Sequence, residues 1–463
     1  MNILYTPISK LSKAILNKEV SSKEVVDAYL DRIAEVNPKL NAVVHVSADE
    51  ARKQADHADK KLAEGKISGP LHGIPMTLKD SFDTKDMVST GGTTGRANFI
   101  PTKDATVVAR LRANGAILMG KTNTSEFTLS YETNNLVYGQ TNNPYDALLS
   151  SGGSSGGGAA IVASGGSPFD IGSDYGGSLR YPAHCCGIST IKPTSGRVPR
   201  TGHILPFGGL LDSFQQIGPL ATCVDDLNLL LPLICGPDWV DPNITPMPLG
   251  NPDSINLKKL RVAFHADNGI ITSTADILNV VQNVAKILDQ AKMIVTEVIP
   301  TEIEQSYELG MQLWAADGGA LIRRLLREAN TKEHTIPWLE FAQPIDAARL
   351  DVLLMKWSDF RSTMLSFLKS YDVIICPVNA FTALPHGATT GEDLRAFSYT
   401  VTYNLTGWPS VVTRAGTSKN GLPIGVQIIA PPWREDIALA VAKYIEKAIG
   451  NFTKPLSNDR GNY

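Results

Sequence analysis

Between Ser150 and Pro182 the chain reads SSGGSSGGGAAIVASGGSPFDIGSDYGGSLRYP and carries two glycine-flanked serines, Ser154 and Ser178. Glycines on both sides of a serine open backbone dihedrals closed to other residues and leave main-chain N–H groups free to meet a ligand, which the interior of a strand or helix does not allow. A flexible linker of this composition would run on into polar residues. This one runs into Ala159–Ala163 and Phe169–Ile171, apolar enough to be buried. The fold must therefore bury glycine-rich loops and still leave their backbone something to face.

The chain is long enough to do so. Its 463 residues, 43% hydrophobic and 19% charged, have the make-up of a globular protein, and length alone would allow two or three domains. One large α/β domain over 1–463 is the reading favoured here. Charge is near balance, 43 Lys+Arg against 46 Asp+Glu for a net −3, so no electrostatic footprint argues for nucleic acid or an anionic membrane, and neutral or small substrates fit better. The five cysteines, Cys185, Cys186, Cys223, Cys235 and Cys376, lack the paired C-x-x-C spacing of a zinc site and read as buried reduced thiols. The start MNILYTPISK has no basic segment followed by a long apolar core, and Leu227–Cys235, interrupted by Asn228 and Pro232, is too short to span a bilayer. The cytoplasm is the default location on that reading.

Helices are expected at 8–18 and 22–36. The second opens on Ser21 or Ser22, carries Val25, Val26, Tyr29, Leu30, Ile33 and Val36 at helical spacing, and is stopped by Asn37-Pro38. A third, charged helix at 48–63 ends before Gly65, so residues 1–66 read as a helical jacket over something larger. In GPLHGIPMTLKDSFD, residues 69–83, Ile74, Met76 and Leu78 alternate and bring Lys79 to the end of a buried strand. A lone lysine there would snorkel to water or pair with Asp80 or Asp83. A helix at 105–113 and a strand at 116–119 begin a βαβ rhythm. An Asn/Thr-rich loop at 134–144 leads into the serine stretch, and short apolar pieces broken by Gly and Pro follow it to about 237. Strands at 260–264, 294–298, 371–377 and 422–429 and helices at 275–291 and 437–448 restore the α/β pattern. Residues 303–367 read as several helices rich in Leu, Met and Trp.

Three chemistries suit the glycine-rich stretch. A phosphate-cradling loop needs G-x-x-x-x-G-K-[ST], and although Gly152 and Gly157 have the spacing, Gly158 and Ala159 stand where the lysine and hydroxyl belong. A nucleophile elbow needs G-x-S-x-G after a strand; Gly152–Gly156 matches the letters, but the upstream NNPYDALLS is turn-rich, and His184, His203 and His386 offer no supporting pattern for a base. A serine–serine–lysine relay needs a lysine held neutral by burial, and Lys79 is placed for that.

Together GIPMTLKDSFD, GGSSGGGAA, GSDYGGSLRYPAHCCGI and IKPTSGRVPR resemble the amidase signature family, in the right order and over most of the chain, fading at 303–367. The resemblance implies a single domain with a mixed central β-sheet covered by helices on both faces, a catalytic core at 69–237 and a variable substrate-binding region at 303–367. It implies Ser178 as nucleophile, Ser154 as bridging serine after a cis peptide bond, and Lys79 as base. The N–H groups of Tyr175, Gly176, Gly177 and Ser178 would form the oxyanion hole, with Ser155, Asp174 and Arg180 in support. TNTSEFTLSYETNNLVYGQTNNPYD resembles the fatty acid amide hydrolase-like branch and puts Thr128, Leu129, Ser130 and Tyr131 beside the site; Met311 and Trp314 are the pocket residues expected from 303–367. Gly158, where many members carry a larger residue, and Tyr175, where Thr or an aliphatic is common, depart from the pattern. The implied activity is hydrolysis of small to medium amides with apolar acyl or aryl groups, and of esters and carbamates, without metal or organic cofactor, in a monomer or homodimer. The glutaminase subunit of a tRNA-dependent amidotransferase is the alternative.

Overall fold

Strands apolar on both sides are stable only when both faces are covered, and the chain provides the cover before and after each of them. The computed structural model describes residues 2–210, 212–450 and 452–455. Its strands are β1 (Val43–Val46), β2 (Pro75–Lys79), β3 (Ile117–Thr122), β4 (Phe169–Asp174), β5 (Ser189–Lys192), β6 (Gln216–Ala221), β7 (Arg261–Phe264), β8 (Ile294–Glu297), β9 (Val373–Pro377), β10 (Ser410–Thr417) and β11 (Pro423–Ile429). They form one mixed eleven-stranded sheet in the order β1-β3-β2-β4-β6-β5-β10-β11-β9-β7-β8, with helices on both faces. Strands β3, β2 and β4 run parallel side by side, as do β9, β7 and β8; the pairs between these groups are antiparallel. Every residue of β2, β3 and β4 is buried, so a polar side chain at their ends is held away from water.

Helices Ile8–Leu16, Ser22–Leu40 and Ala48–Ala63 occupy the N-terminal segment, and β1, which the sequence reading did not expect there, joins the sheet edge between the last two. Helix Ser22–Leu40 opens on a capping box between Ser21 and Glu24, but runs through Pro38 instead of stopping at it. A proline in the last turn costs little more than the one N–H bond it removes. Asn37 secures the exit: its Oδ1 accepts from the N–H groups of Ala42 and Val43, both at 2.8 Å, and its Nδ2 donates to the Val43 carbonyl. The left-handed Asn41 ends the helix instead, one turn beyond the expected stop.

Residues 182–237, read as broken apolar pieces, contain β5, β6 and the helix Val224–Ile234 with Pro232 inside it. The region 303–367 is helical over Ser306–Ala315, Ala320–Glu328 and Ala347–Phe367. The serine stretch supplies helix Gly156–Ala163, strand β4 and helix Arg180–Cys186. All eight residues of the first helix are buried, and it packs against β4, the jacket helix Ser22–Leu40 and helix Arg180–Cys186. Its small residues allow that closeness: a Cβ on Gly157 would come within 2.4 Å of Asn123 N. Among the described residues no helix is long and apolar enough to cross a membrane.

Candidate active site

Strand β2 delivers Lys79 to the sheet end where the two serine loops meet. The side chain is fully buried, and its Nζ lies 2.7 Å from Ser154 Oγ, 2.9 Å from Ser155 Oγ and 3.1 Å from Ser173 Oγ. No carboxylate is among those partners. Burial lowers its pKa to about 7, against the opposing pull of Asp170 and Asp174. The snorkelling and ion-pair readings are therefore set aside: Asp80 binds Thr90 and approaches Lys121, not Lys79.

Ser154 follows a cis peptide bond from Gly153. The turn before it needs glycine, since Gly152 sits at φ +78° and a Cβ there would meet Pro182 at 3.0 Å. Ser155 ties the two loops together. Its N–H donates to the Ser178 carbonyl at 3.1 Å and its Oγ donates to the Ser173 carbonyl at 3.2 Å. The side chain fits because Gly172 has none: a Cβ there would stand 2.7 Å from Ser155 Oγ.

The segment from Asp174 to Arg180 is clamped by a buried ion pair. Arg180 donates through Nε and Nη2 to the two Asp174 oxygens at 3.0 and 2.9 Å, and through Nη1 to the Thr400 carbonyl and Gln427. Burial alone would raise the Asp174 pKa, but the Arg180 charge and the hydrogen bonds from Arg180 and Asn404 hold it far below the usual carboxylate range. Asp174 also corrects one expectation. It accepts the N–H groups of Gly177 at 2.9 Å and of Leu179 at 3.1 Å, so the Gly177 N–H is spent inside the loop. The N–H groups of Tyr175, Gly176 and Ser178 have no protein acceptor among the described residues. The Gly176 carbonyl is pinned by the Thr400 and Tyr131 hydroxyls, at 2.7 and 3.3 Å, which turns the peptide that follows it.

Aromatic rings wall this loop. A Cβ on Gly176 would come within 2.5 Å of the Trp314 ring and 2.8 Å of the Tyr131 hydroxyl. Tyr175 stacks on Trp314 at 5.8 Å, Phe214 lies edge-on to Trp314 at 6.4 Å, and Tyr131 stacks on Phe397. Leu129 joins Tyr175 on a separate apolar cluster with Phe127, Leu205 and Ile322. Of the expected pocket residues, Trp314 and Tyr131 reach the loop, and Leu129 packs on the cluster that Tyr175 shares. Ser130 instead braces its own turn by accepting from Glu132 N, and Thr128 takes a left-handed backbone within that turn. Met311 is half-buried one turn before Trp314.

Three residues that the sequence did not place here adjoin the site, two of them unnamed there and the third, His203, weighed only as an elbow base. Ser173, Phe214 and His203 stand at the site; His203 Nε2 is 3.0 Å from Ser173 Oγ. His184, weighed beside it as an elbow base, is spent on the Gly425 and Phe381 main chain. Asp170 explains the unusual Gly158, whose Cβ would lie 2.5 Å from Asp170 Oδ1: the carboxylate fills that space.

The family model described as Amidase matches residues 24–439. The chain is 34% identical to fatty-acid amide hydrolase 2-B of Danio rerio, over 96% of this chain and 90% of that protein. It is 33% identical to a glutamyl-tRNA(Gln) amidotransferase subunit of Alkaliphilus metalliredigens, over 98% of each. The solved structure of 6-aminohexanoate cyclic dimer hydrolase has the same fold, with a TM-score of 0.89 at 24% identity over 98% of this chain and 99% of that one.

Proposed function

The chain belongs to the amidase (amidase-signature) family, hydrolases that act on amides, and on that footing we propose that it cleaves the C–N bond of small to medium amides by a Lys79–Ser154–Ser178 relay. The observation that carries this reading is the buried Lys79, with a pKa near 7 and Ser154 Oγ at 2.7 Å. Lys79 takes the Ser154 proton as Ser154 takes that of Ser178, and Ser178 Oγ adds to the amide carbonyl carbon. The negative charge on the carbonyl oxygen is met by the N–H groups of Tyr175, Gly176 and Ser178, each such donor being worth about 3 kcal/mol in the transition state. The proton returns along the same route to the leaving nitrogen, the C–N bond breaks, and water hydrolyses the acyl-enzyme. Without that return step the leaving group would be an amide anion.

The rings of Tyr175, Trp314, Phe214 and Tyr131 favour apolar acyl or aryl groups. Esters and carbamates present a similar carbonyl and belong to the same proposal. Labelling with a fluorophosphonate, followed by intact mass and peptide mapping, tests the relay: a single adduct on Ser178 is expected, and an adduct on Ser154 overturns it. The similarity to an amidotransferase component over 98% of both chains supports a second reading, a glutaminase acting in a complex. Glutamine-dependent ammonia release together with a co-purifying partner would favour it, whereas turnover of an aryl amide by the pure chain favours the first.

A further inference from the structure

We propose that His203 is a positioning residue for Lys79, acting through Ser173; the inference rests on Lys79 being the base of the relay. His203 is buried and packs edge-on against Phe82 at 5.1 Å. Its tautomer follows from its partners. Nδ1 accepts the Leu205 N–H at 3.1 Å, a main-chain group that can only donate, and Gln215 Nε2 approaches the same nitrogen at 2.6 Å. The Leu205 carbonyl is at 3.4 Å, beyond normal hydrogen-bond range. The proton therefore sits on Nε2 and points at Ser173 Oγ, 3.0 Å away. Burial and then the Lys79 charge push the ring's pKa down to about 3, so it stays a neutral donor over the working range.

The hydrogen-bond accounting around Lys79 shows what this donor does. A neutral amine has two N–H groups and one lone pair. The Ser155 hydroxyl is committed to the Ser173 carbonyl, so Ser155 Oγ meets Lys79 as an acceptor, at 2.9 Å. Ser173 Oγ takes the second Lys79 N–H at 3.1 Å, provided its own proton is turned away. The Nε2–H of His203 fixes Ser173 in that accepting orientation. The lone pair is then left for the shortest contact, the Ser154 hydroxyl at 2.7 Å. Once Lys79 has taken the proton, its three N–H groups find the same three oxygens as acceptors. Without His203, the Ser173 hydroxyl is free to donate to Nζ and to occupy the lone pair that Ser154 needs.

The rate of Ser178 labelling by a fluorophosphonate reads this without knowledge of the substrate. His203→Phe and Ser173→Ala are each expected to slow the maximal labelling rate about tenfold, the worth of one buried hydrogen bond, with the concentration giving half-maximal rate unchanged. The double variant is expected to be no slower than Ser173→Ala, because both changes break one chain of contacts. His203→Gln, which keeps an N–H donor at the same reach, recovers most of the rate. A wild-type rate in His203→Phe, a roughly hundredfold loss in the double variant, or a His203→Gln protein as slow as His203→Phe overturns the inference. Where the phenylalanine variant does not fold, Ser173→Ala, which deletes one oxygen, carries the same expectation alone. A wild-type protein that does not label at all refutes the relay itself, and the inference with it.

Discussion

Replacing Lys79 by methionine should abolish the acid limb of the rate profile and make the protein more stable. An ordinary lysine titrates near 10.4, so at pH 7 only about one in 2,500 would be neutral. With the pKa lowered to about 7, about half of the Lys79 side chains are. Burial thus raises the population of usable base about a thousandfold. In the wild type, kcat/KM on an activated aryl amide should rise with unit slope to about pH 7 and then level off. Lys79→Met should lose about 10²–10⁴-fold at the plateau, together with the limb. Asp170 also titrates near 7 and favours protonated Lys79 when ionised. Asp170→Asn should therefore move the limb to lower pH. Stability runs the other way. The unfolded chain's lysine holds its proton up to about 10.4, whereas the folded one gives it up near 7, so folding is penalised in full below pH 7 and the penalty fades as pH rises toward 10.4. At pH 7 that penalty is roughly 4 kcal/mol, and urea unfolding of Lys79→Met should recover part of it, less the hydrogen bonds lost. A methionine variant that keeps activity within tenfold of wild type and retains the limb would refute the assignment, since the base would then lie elsewhere.

Two further changes probe the frame around the site. Asp174→Asn keeps the shape but leaves the buried Arg180 guanidinium unpaired, and should cost about 3–5 kcal/mol in urea unfolding with loss of Ser178 labelling; an unchanged midpoint would show that Arg180 finds another anion. Gly158→Ala pushes a methyl to 2.5 Å from Asp170 Oδ1 and should cost about 1–3 kcal/mol by the same measurement, with strong coupling to Asp170→Ser in a double-mutant cycle; additive costs would mean that the carboxylate moves aside freely.

What could be read from the sequence divides along a physical line. Lys79, Ser154 and Ser178 stood out by local signal, a lysine closing an apolar strand or a serine beside glycine, whereas Ser155 entered only through the family resemblance. Asp174 and Arg180 likewise entered through the resemblance, and their buried ion pair is what the fold adds. Strands β6 and β10 were not legible, since Gly218, Pro219 and Gly416 interrupt the β-branched runs that announce a strand, and only their neighbours in the sheet make them pair. The spent N–H of Gly177 was equally hidden. Glycine there permits φ +131°, but that its hydrogen turns to Asp174 is decided by where the ion pair holds the carboxylate. His203 and His184 make the point most sharply. Both are lone, buried histidines with no pattern around them. One is satisfied by the main chain of the sheet, while the other reaches the site because a bridge between Phe82 and His203 lays its loop beside the end of β2. What separates a histidine spent on the main chain from one joined through Ser173 to Lys79 is therefore its place in the fold. A substitution at His203 should change the rate at which Ser178 reacts, whereas one at His184 should change only how firmly helix Arg180–Cys186 is held to β11.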